Sequence, residues 1–327
     1  MEASGTPLLV ICTPDHPVLR LLESLRSTCD ISISVDQATL AATAPRTEVI
    51  LVTGIGSETI DLDRLLRQAP RLKWIHSLTA GVENLLVPAL VETAVPLTNA
   101  RGVFKRSLAE FAVLGILYHT KRVRRLVENQ RQRAWDNFFV DWADGRVMGI
   151  VGLGEIGREC ALLAKGMGLK IHAIRRKRPQ VPDPLVDRQF EPAQLHEMLA
   201  SVDVLLCAAP LTPATRHMIS DPQFAIMKPT SIVINVGRGP VIDEAALIRA
   251  LQRKQIAAAS LDVFEHEPLA GDSPLWDMEN VLISPHCTDH TQSPDWMELS
   301  MKLFLENFAR YRLGSALLNT VDKREGY

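Results

Sequence analysis

Short apolar runs rich in β-branched residues alternate with longer helix-like stretches along most of the 327-residue chain. Such runs, with few polar residues inside them, are typical of strands buried on both faces in a parallel sheet covered by helices. They occupy residues 8–12, 49–52, 147–151, 170–174, 202–208, 231–236, 257–261 and 281–283. The pattern predicts an α/β fold built on doubly wound parallel sheets. At about 100–200 residues per domain, the length predicts two domains.

Charge and cysteine content exclude several classes of protein. With 36 Lys and Arg against 38 Asp and Glu, the net charge is −2, so nucleic acid and anionic membranes are not expected partners. No apolar run reaches the roughly 18 residues of a membrane span. The five cysteines form no C-x-x-C pair, which argues against a disulfide framework and a zinc site. A reducing, cytoplasmic location is expected, with an organelle left open, and no metal is expected.

The segment 147–158, VMGIVGLGEIGR, contains G-x-G-x-x-G between an apolar run and a helix-like stretch. This order of strand, glycine turn and helix is typical of a dinucleotide-binding Rossmann domain. Gly152 would form the tight turn, Gly154 would let the backbone approach a pyrophosphate, and Gly157 would let the helix pack on the strand. The phosphates would lie at the helix N-terminus, where free N–H groups favour anions. A tight turn without a ligand is the alternative.

The end of the next apolar run predicts which dinucleotide is preferred. Arg175 lies 18 residues after Gly157, near the place where an NAD site carries Asp or Glu for the ribose 2′-hydroxyl. This chain has Arg175, Arg176, Lys177 and Arg178 there. Guanidinium groups suit phosphates, so we expect NADP(H) to be preferred, NAD(H) to be possible, and Arg175 and Arg176 to contact the 2′-phosphate. A solvated loop or a nuclear-import sequence is the alternative.

Three later segments carry a family resemblance: 235–243 (NVGRGPVID), 261–269 (LDVFEHEPL) and 283–286 (ISPH). They resemble the C-terminal signatures of the D-isomer-specific 2-hydroxyacid dehydrogenases. With the glycine motif and residues 80–84 (AGVEN), the resemblance covers about residues 75–310. It implies reduction of a small 2-oxo acid (glyoxylate, hydroxypyruvate or pyruvate) to the D-2-hydroxy acid by NADPH.

The resemblance also implies a domain organisation. Residues 1–99 with 287–327 would form the substrate-binding domain, and residues 100–286 the NAD(P)-binding domain. Both domains would be Rossmann-like, with the active site in the cleft between them. The alternative function on the same fold is a dinucleotide-sensing, corepressor-like binding protein.

Reduction of an oxo acid requires a hydride, a proton and a cation that holds the carboxylate. His286 is the expected acid, since the unperturbed pKa of histidine lies nearest physiological pH. Glu267 would orient the imidazole and favour its protonated form, while Arg238 would bind the carboxylate and polarise the carbonyl. The resemblance assigns the same roles to these residues and places Arg238 and His286 against the substrate and the cofactor. His290 is a weaker candidate for the acid because it lacks the Pro-His placement.

The resemblance implies further contacts by position. Those to the cofactor are Glu155, Ile156, Ala209, Pro210, Val236 and, on the nicotinamide side, Asp262. Those to the substrate involve Ala80, Gly81 and Val82, with the backbone N–H groups of Gly81 and Val82 on its carboxylate. An ordinary turn is the alternative for this last segment.

Two regions bear on substrate choice and assembly. Many family members carry small residues after the catalytic histidine, whereas residues 287–291 here read CTDHT, so substrate preference does not transfer from any one subgroup. The family usually dimerises through its nucleotide-binding domain, and a homodimer is therefore expected. The aromatic cluster Trp135, Phe138, Phe139 and Trp142 would lie in the core or at a subunit contact, or more weakly line the partner's pocket.

Overall fold

The computed structural model describes residues 5–54, 60–176, 181–292 and 295–326. The chain divides into two compact units: Met1–Val103 with Thr291–Tyr327, and Phe104–His290. We call these the first and second units. The predicted assignment of 1–99 with 287–327 to the substrate and of 100–286 to the dinucleotide stays a prediction.

The described strands and helices alternate along most of the chain. The strands are β1 (Thr6–Ile11), β2 (Cys29–Ser34), β3 (Val49–Val52), β4 (Trp74–Ser77), β5 (Leu97–Thr98), β6 (Val147–Val151), β7 (Lys170–Ile174), β8 (Arg188–Phe190), β9 (Val204–Cys207), β10 (Ile232–Asn235), β11 (Ala258–Leu261) and β12 (Val281–Ile283). The α-helices are α1 (Gln37–Thr43), α2 (Leu62–Arg67), α3 (Pro88–Val91), α4 (Lys105–Thr120), α5 (Val123–Gln132), α6 (Glu155–Gly166), α7 (Leu195–Ser201), α8 (Asp221–Ile226), α9 (Glu244–Gln252) and α10 (Trp296–Arg312). Short 3₁₀ helices occupy Pro17–Leu25, Ala44–Arg46, Glu83–Leu85, Pro192–Gln194, Gly239–Val241 and Pro274–Asp277.

The first unit is built on a parallel sheet with the strand order β2-β1-β3-β4-β5 among the described residues. Successive residues of β1 are buried on opposite faces of the sheet. Leu9 belongs to the apolar cluster on one face, and Leu8 belongs to the cluster on the other face. The C-terminal helix α10 covers one face, where Phe304 stacks on Trp74 with ring centroids 5.4 Å apart. Residues from both ends of this unit therefore share one core.

The second unit is built on a parallel sheet with the strand order β12-β11-β10-β9-β6-β7-β8 among the described residues. The chain runs outward from β6 to β7 and β8, and then returns to β9 on the other side of β6. The carboxyl ends of β6 and β9 therefore form a topological switch point, where ligands of open α/β sheets bind. The prediction of two parallel-sheet α/β domains is confirmed.

Helix α4 packs against the second sheet through its small and apolar residues. A Cβ at Gly115 would lie 2.8 Å from Oγ of Ser260, so the helix approaches β11 more closely than a larger residue allows. His119 on the same helix lies 3.0 Å from the Ala259 carbonyl oxygen, and burial lowers the pKa of His119 to about 4. Leu114 is apolar, yet its position on this helix leaves it 49% exposed.

The aromatic residues that follow α5 are not part of the core. Trp135, Phe139 and Trp142 are 96%, 92% and 75% exposed. Phe138 lies under the guanidinium of Arg125, with 4.5 Å between the guanidinium carbon and the ring centroid. The core interpretation of this cluster is wrong, because no element of the described part of the chain covers these three side chains.

None of the described helices is long and apolar enough to cross a membrane.

Candidate active site

The glycine segment links β6 to α6, and the space around the backbone differs among its three glycines. Gly152 has a φ of +97°, and a Cβ there would lie 2.6 Å from the Ala209 backbone nitrogen. A Cβ at Gly157 would lie 2.4 Å from the Gly152 carbonyl oxygen, so α6 packs directly on the turn. A Cβ at Gly154 would meet nothing within 4 Å, which leaves open space at the start of α6. This geometry fits a diphosphate at the helix N-terminus.

Glu155 begins α6 and forms an ion pair that the sequence did not predict. Lys105, the first residue of α4, donates from Nζ to Oε2 of Glu155 at 3.4 Å. The same ammonium lies 4.0 Å from Glu159. The carboxylate of Glu155 would repel a diphosphate bound at the start of α6. The ammonium of Lys105 offsets this negative charge.

The remaining residues expected at the cofactor lie at the carboxyl ends of the second sheet. Ala209 and Val236 are buried after β9 and β10, and Ile156 and Pro210 are half-buried. Arg175 and Arg176 follow β7 directly, and both are exposed. Lys177 and Arg178 lie outside the described residues. In the described part of this segment, arginines and no acidic residue follow the end of β7, and their contact with a 2′-phosphate stays a prediction.

Arg238 lies in the turn after β10, and hydrogen bonds fix its backbone. The Asn235 side chain donates to the Arg238 carbonyl oxygen at 3.1 Å and accepts from the Gly237 N–H at 3.1 Å. A Cβ at Gly239 would lie 1.7 Å from the Phe264 carbonyl oxygen. Only glycine therefore lets the arginine turn approach the loop that leads to Glu267.

Glu267 and His286 form a hydrogen-bonded pair. Nδ1 of His286 lies 2.6 Å from Oε2 of Glu267, and since a carboxylate only accepts, Nδ1 carries the proton. The other carboxylate oxygen of Glu267 accepts from the Phe264 N–H at 2.9 Å. Among the described residues, none forms a hydrogen bond with Nε2 of His286, so this atom is available for proton transfer.

Burial and the charges around the imidazole explain the direction in which the pKa of His286 is shifted. The hydrogen bond that His286 donates to Glu267 raises the pKa of His286 above its ordinary value, although burial opposes the charged form. Burial alone would raise the pKa of Glu267, but the hydrogen bonds from His286 and the Phe264 N–H outweigh it and hold this pKa low. Arg238 acts electrostatically on both groups. The structure therefore brings the three predicted catalytic residues together, although their roles remain predictions.

Asp262 is buried and accepts hydrogen bonds from the loop that carries His286. Its Oδ1 accepts from Ser284 Oγ at 2.6 Å, and its Oδ2 accepts from Thr288 Oγ1 at 2.6 Å. The sequence predicted a contact with the nicotinamide, but it missed this structural use of the carboxylate. Neighbouring Cys287 is exposed, whereas Cys207 is buried.

In the first unit, the predicted substrate-binding segment follows β4. The Asn99 side chain donates to the Ala80 carbonyl oxygen at 2.6 Å, and Thr79 Oγ1 donates to the Gly81 carbonyl oxygen at 2.9 Å. Within the described residues, the backbone N–H groups of Gly81 and Val82 form no hydrogen bond. A turn whose carbonyl groups are fixed and whose N–H groups are unpaired is suited to bind an anion.

The two polar residues after Thr288 are placed close to each other. Nε2 of His290 lies 3.6 Å from Oδ1 of Asp289, and Oδ1 is buried without a hydrogen bond in the described part of the molecule. Within the described ranges, no group of three or more His, Cys, Asp or Glu residues could hold a metal ion.

Comparison with known proteins agrees with this geometry. The family model for the NAD binding domain of D-isomer specific 2-hydroxyacid dehydrogenases matches residues 113–288. A glyoxylate reductase of Aeropyrum pernix is 33% identical over 82% of this chain and 81% of its own length. A glyoxylate/hydroxypyruvate reductase B of Klebsiella pneumoniae is 38% identical over 70% of this chain and 72% of its own. The protein belongs to the D-isomer specific 2-hydroxyacid dehydrogenase family.

Solved structures of related proteins have the same fold. A family member from Xanthobacter autotrophicus, in complex with NADPH and MES, superposes with a TM-score of 0.81 at 29% identity, over 99% of this chain and all of that one. The NADPH-dependent glyoxylate/hydroxypyruvate reductase of Sinorhizobium meliloti, in complex with NADP and sulfate, superposes with a TM-score of 0.83 at 26% identity, over 98% of this chain and 100% of that one.

Proposed function

We propose that this protein reduces small 2-oxo acids to D-2-hydroxy acids with NADPH. The observation that carries the proposal is the 2.6 Å hydrogen bond between His286 and Glu267, within the electrostatic reach of Arg238. Glyoxylate and hydroxypyruvate are the proposed substrates, because relatives of this chain are named as reductases of these two acids.

The proposed chemistry divides among the side chains described above. When bound, NADPH supplies the hydride for the carbonyl carbon. His286, protonated on Nδ1 by its pairing with Glu267, would transfer the proton on Nε2 to the carbonyl oxygen and then regain one from solvent. Arg238 would hold the substrate carboxylate and polarise the carbonyl.

The cofactor would be held by the residues around the glycine turn. Its diphosphate would lie over Gly154 at the start of α6, and Ile156, Ala209, Pro210 and Val236 would contact its remaining parts. Arg175 and Arg176 would bind the 2′-phosphate, which supports NADPH over NADH. The relatives solved with NADPH and with NADP support the same preference.

A homodimer is part of the proposal. Three large aromatic side chains, Trp135, Phe139 and Trp142, are exposed beside the basic helix α5. Apolar surface of this kind is typical of a protein–protein contact, and a second copy of the chain is the proposed partner.

A cytoplasmic location is proposed as well, since the five cysteines form no disulfide among them. Light scattering during gel filtration and cell fractionation test these two points.

The test of function is a turnover assay. Purified protein should oxidise NADPH, followed by absorbance, when glyoxylate, hydroxypyruvate or pyruvate is added, and chiral analysis should identify the D-product. His286→Gln should lower kcat about 10²-fold or more, the scale of general acid catalysis. Tight NADPH binding with no turnover on any oxo acid would contradict the proposal and favour the binding-protein alternative.

A further inference from the structure

The loop that carries His286 is fastened at several points to one buried carboxylate. Asp262, 1% exposed, directly follows β11. Its Oδ1 accepts from Ser284 Oγ at 2.6 Å and from the Cys287 and Thr288 N–H groups at 3.2 and 3.3 Å. Its Oδ2 accepts from Thr288 Oγ1 at 2.6 Å. The carboxylate thus contacts the loop on both sides of the histidine.

The backbone of His286 adopts a conformation that residues with a Cβ rarely take. Its φ is +50°, in the left-handed region. The His286 N–H donates to the Asp262 carbonyl oxygen at 2.9 Å, so the same residue holds the backbone and the flanking side chains. Because a left-handed non-glycine residue persists only where its surroundings impose it, the Asp262 contacts determine where the imidazole lies.

Thr288 connects this arrangement to helix α4. Its carbonyl oxygen accepts a hydrogen bond from Oγ of Ser107, in the first turn of α4. Its hydroxyl and its N–H both bind the carboxylate of Asp262. A glycine or an alanine at this position could not supply the hydroxyl.

We propose that Thr288 is a positioning residue for His286, acting through Asp262 and anchored by Ser107. Its hydroxyl fixes the loop so that the imidazole keeps its left-handed backbone and its 2.6 Å contact with Glu267. The inference rests on the proposed function only in that His286 is the acid whose position matters.

The consequences for His286 follow from the charges that face it. These are Glu267 and Asp262, which favour the imidazolium, and Arg238, which opposes it. A looser loop lengthens the contact with Glu267, and the pKa of His286 then falls towards that of an ordinary histidine. The pKa of His286 in the folded protein does not depend on how much of the protein is folded. If Thr288 contributed only to stability, its substitution would therefore leave this pKa unchanged.

Thr288→Val is the central variant, because it removes the hydroxyl and keeps the shape. We expect kcat to fall about tenfold, the scale of one hydrogen bond to a charged group. The alkaline limb of the pH profile should move to lower pH. Thr288→Ser should restore both values. Thr230→Val is the matched control, since Thr230 is exposed before the amino end of β10.

A histidine-selective NMR titration measures the pKa of His286 in each variant, with His286→Gln assigning the signal. An unchanged pKa in Thr288→Val, or equal losses in the Val and Ser variants, would overturn the proposal. Should Thr288→Val fail to fold, Ser107→Ala tests the same anchor and should shift the pKa in the same direction by a smaller amount. A wild-type protein without turnover contradicts the proposed function, while the titration still decides the role of Thr288.

Discussion

The imidazole of His286 and the carboxylate of Glu267 are joined by a 2.6 Å hydrogen bond, although 19 residues separate them in sequence. The Phe264 N–H holds the second oxygen of that carboxylate at 2.9 Å. Because both oxygens are engaged, Glu267 cannot turn away from the imidazole without losing a hydrogen bond. The pair therefore fixes the tautomer of His286 and raises its pKa.

The first prediction concerns pH. The reduction requires protonated His286, so kcat/KM should be at its maximum below the ordinary histidine pKa of about 6.5 and should fall as pH rises through the raised pKa. Oxidation of the hydroxy acid requires the neutral imidazole and should show the opposite trend. Glu267→Gln removes the charge that raises this pKa, and should shift the fall in reduction to lower pH. A profile that is the same in both proteins would show that Glu267 does not set it.

The second prediction concerns Arg238. Lysine keeps the charge and loses the planar pair of donors, so Arg238→Lys should lower kcat/KM for the oxo acid by about 10²-fold. Steady-state kinetics with varied oxo acid measures this change. Arg216→Lys is the control, because Arg216 is exposed in the same unit. If the two substitutions had equal effects on kcat/KM, Arg238 would have no specific role in binding the substrate.

The third prediction concerns cofactor choice. Arg175→Asp combined with Arg176→Ala should reduce the ratio of kcat/KM for NADPH to that for NADH by at least about tenfold, because it removes charge-assisted contacts to the 2′-phosphate. The two cofactors are compared at one oxo acid concentration. Arg253→Ala, at the exposed end of α9, should leave the ratio as it is in the wild type. An unchanged ratio in the double variant would place the 2′-phosphate elsewhere.

The fourth prediction concerns Lys105. Its ammonium lies 3.4 Å from Glu155 at the start of α6, so Lys105→Met leaves that carboxylate uncompensated beside the diphosphate site. The Kd of NADP+ should rise several-fold, and less so at high salt, because exposed charges are screened. Fluorescence titration measures this without turnover.

Arg106 provides the comparison for Lys105. It is the next residue of α4 and contacts Glu110 and Glu159. Arg106→Met should therefore change the Kd of NADP+ much less than Lys105→Met does. If the two substitutions weaken binding equally, the effect is one of overall charge, and the pairing with Glu155 has no specific part in it.

How far each strand can be predicted depends on its length and on the polar residues in it. Apolar runs predicted β3, β6, β7 and β12 with the bounds that the structure gives them. They missed β2, β4, β5 and β8, which include polar residues, and β5 and β8 are only two and three residues long. Such strands contain no continuous apolar run, so their signal in the sequence is weak.

The site could be predicted where its residues belong to local patterns. The glycine turn, Arg238 and the Glu267–His286 pair all stand in short segments whose residue types match the chemistry. Lys105 and Ser107 stand in no such pattern, and their partners Glu155 and Thr288 are 50 and 181 residues away. Packing of α4 on the second sheet brings these residues together, and a linear pattern carries no information on that packing.

The sequence by itself determined the alternation of strands and helices, the glycine turn, and the cluster of arginines at the position where an NAD enzyme carries an acid. These features are encoded locally, because burial and backbone conformation act on neighbouring residues. Only the tertiary structure decided that Asp262 holds the His286 loop, that Lys105 faces Glu155, and that the aromatic cluster is exposed. Each of these depends on contacts between distant segments, which exist only once the sheet has assembled.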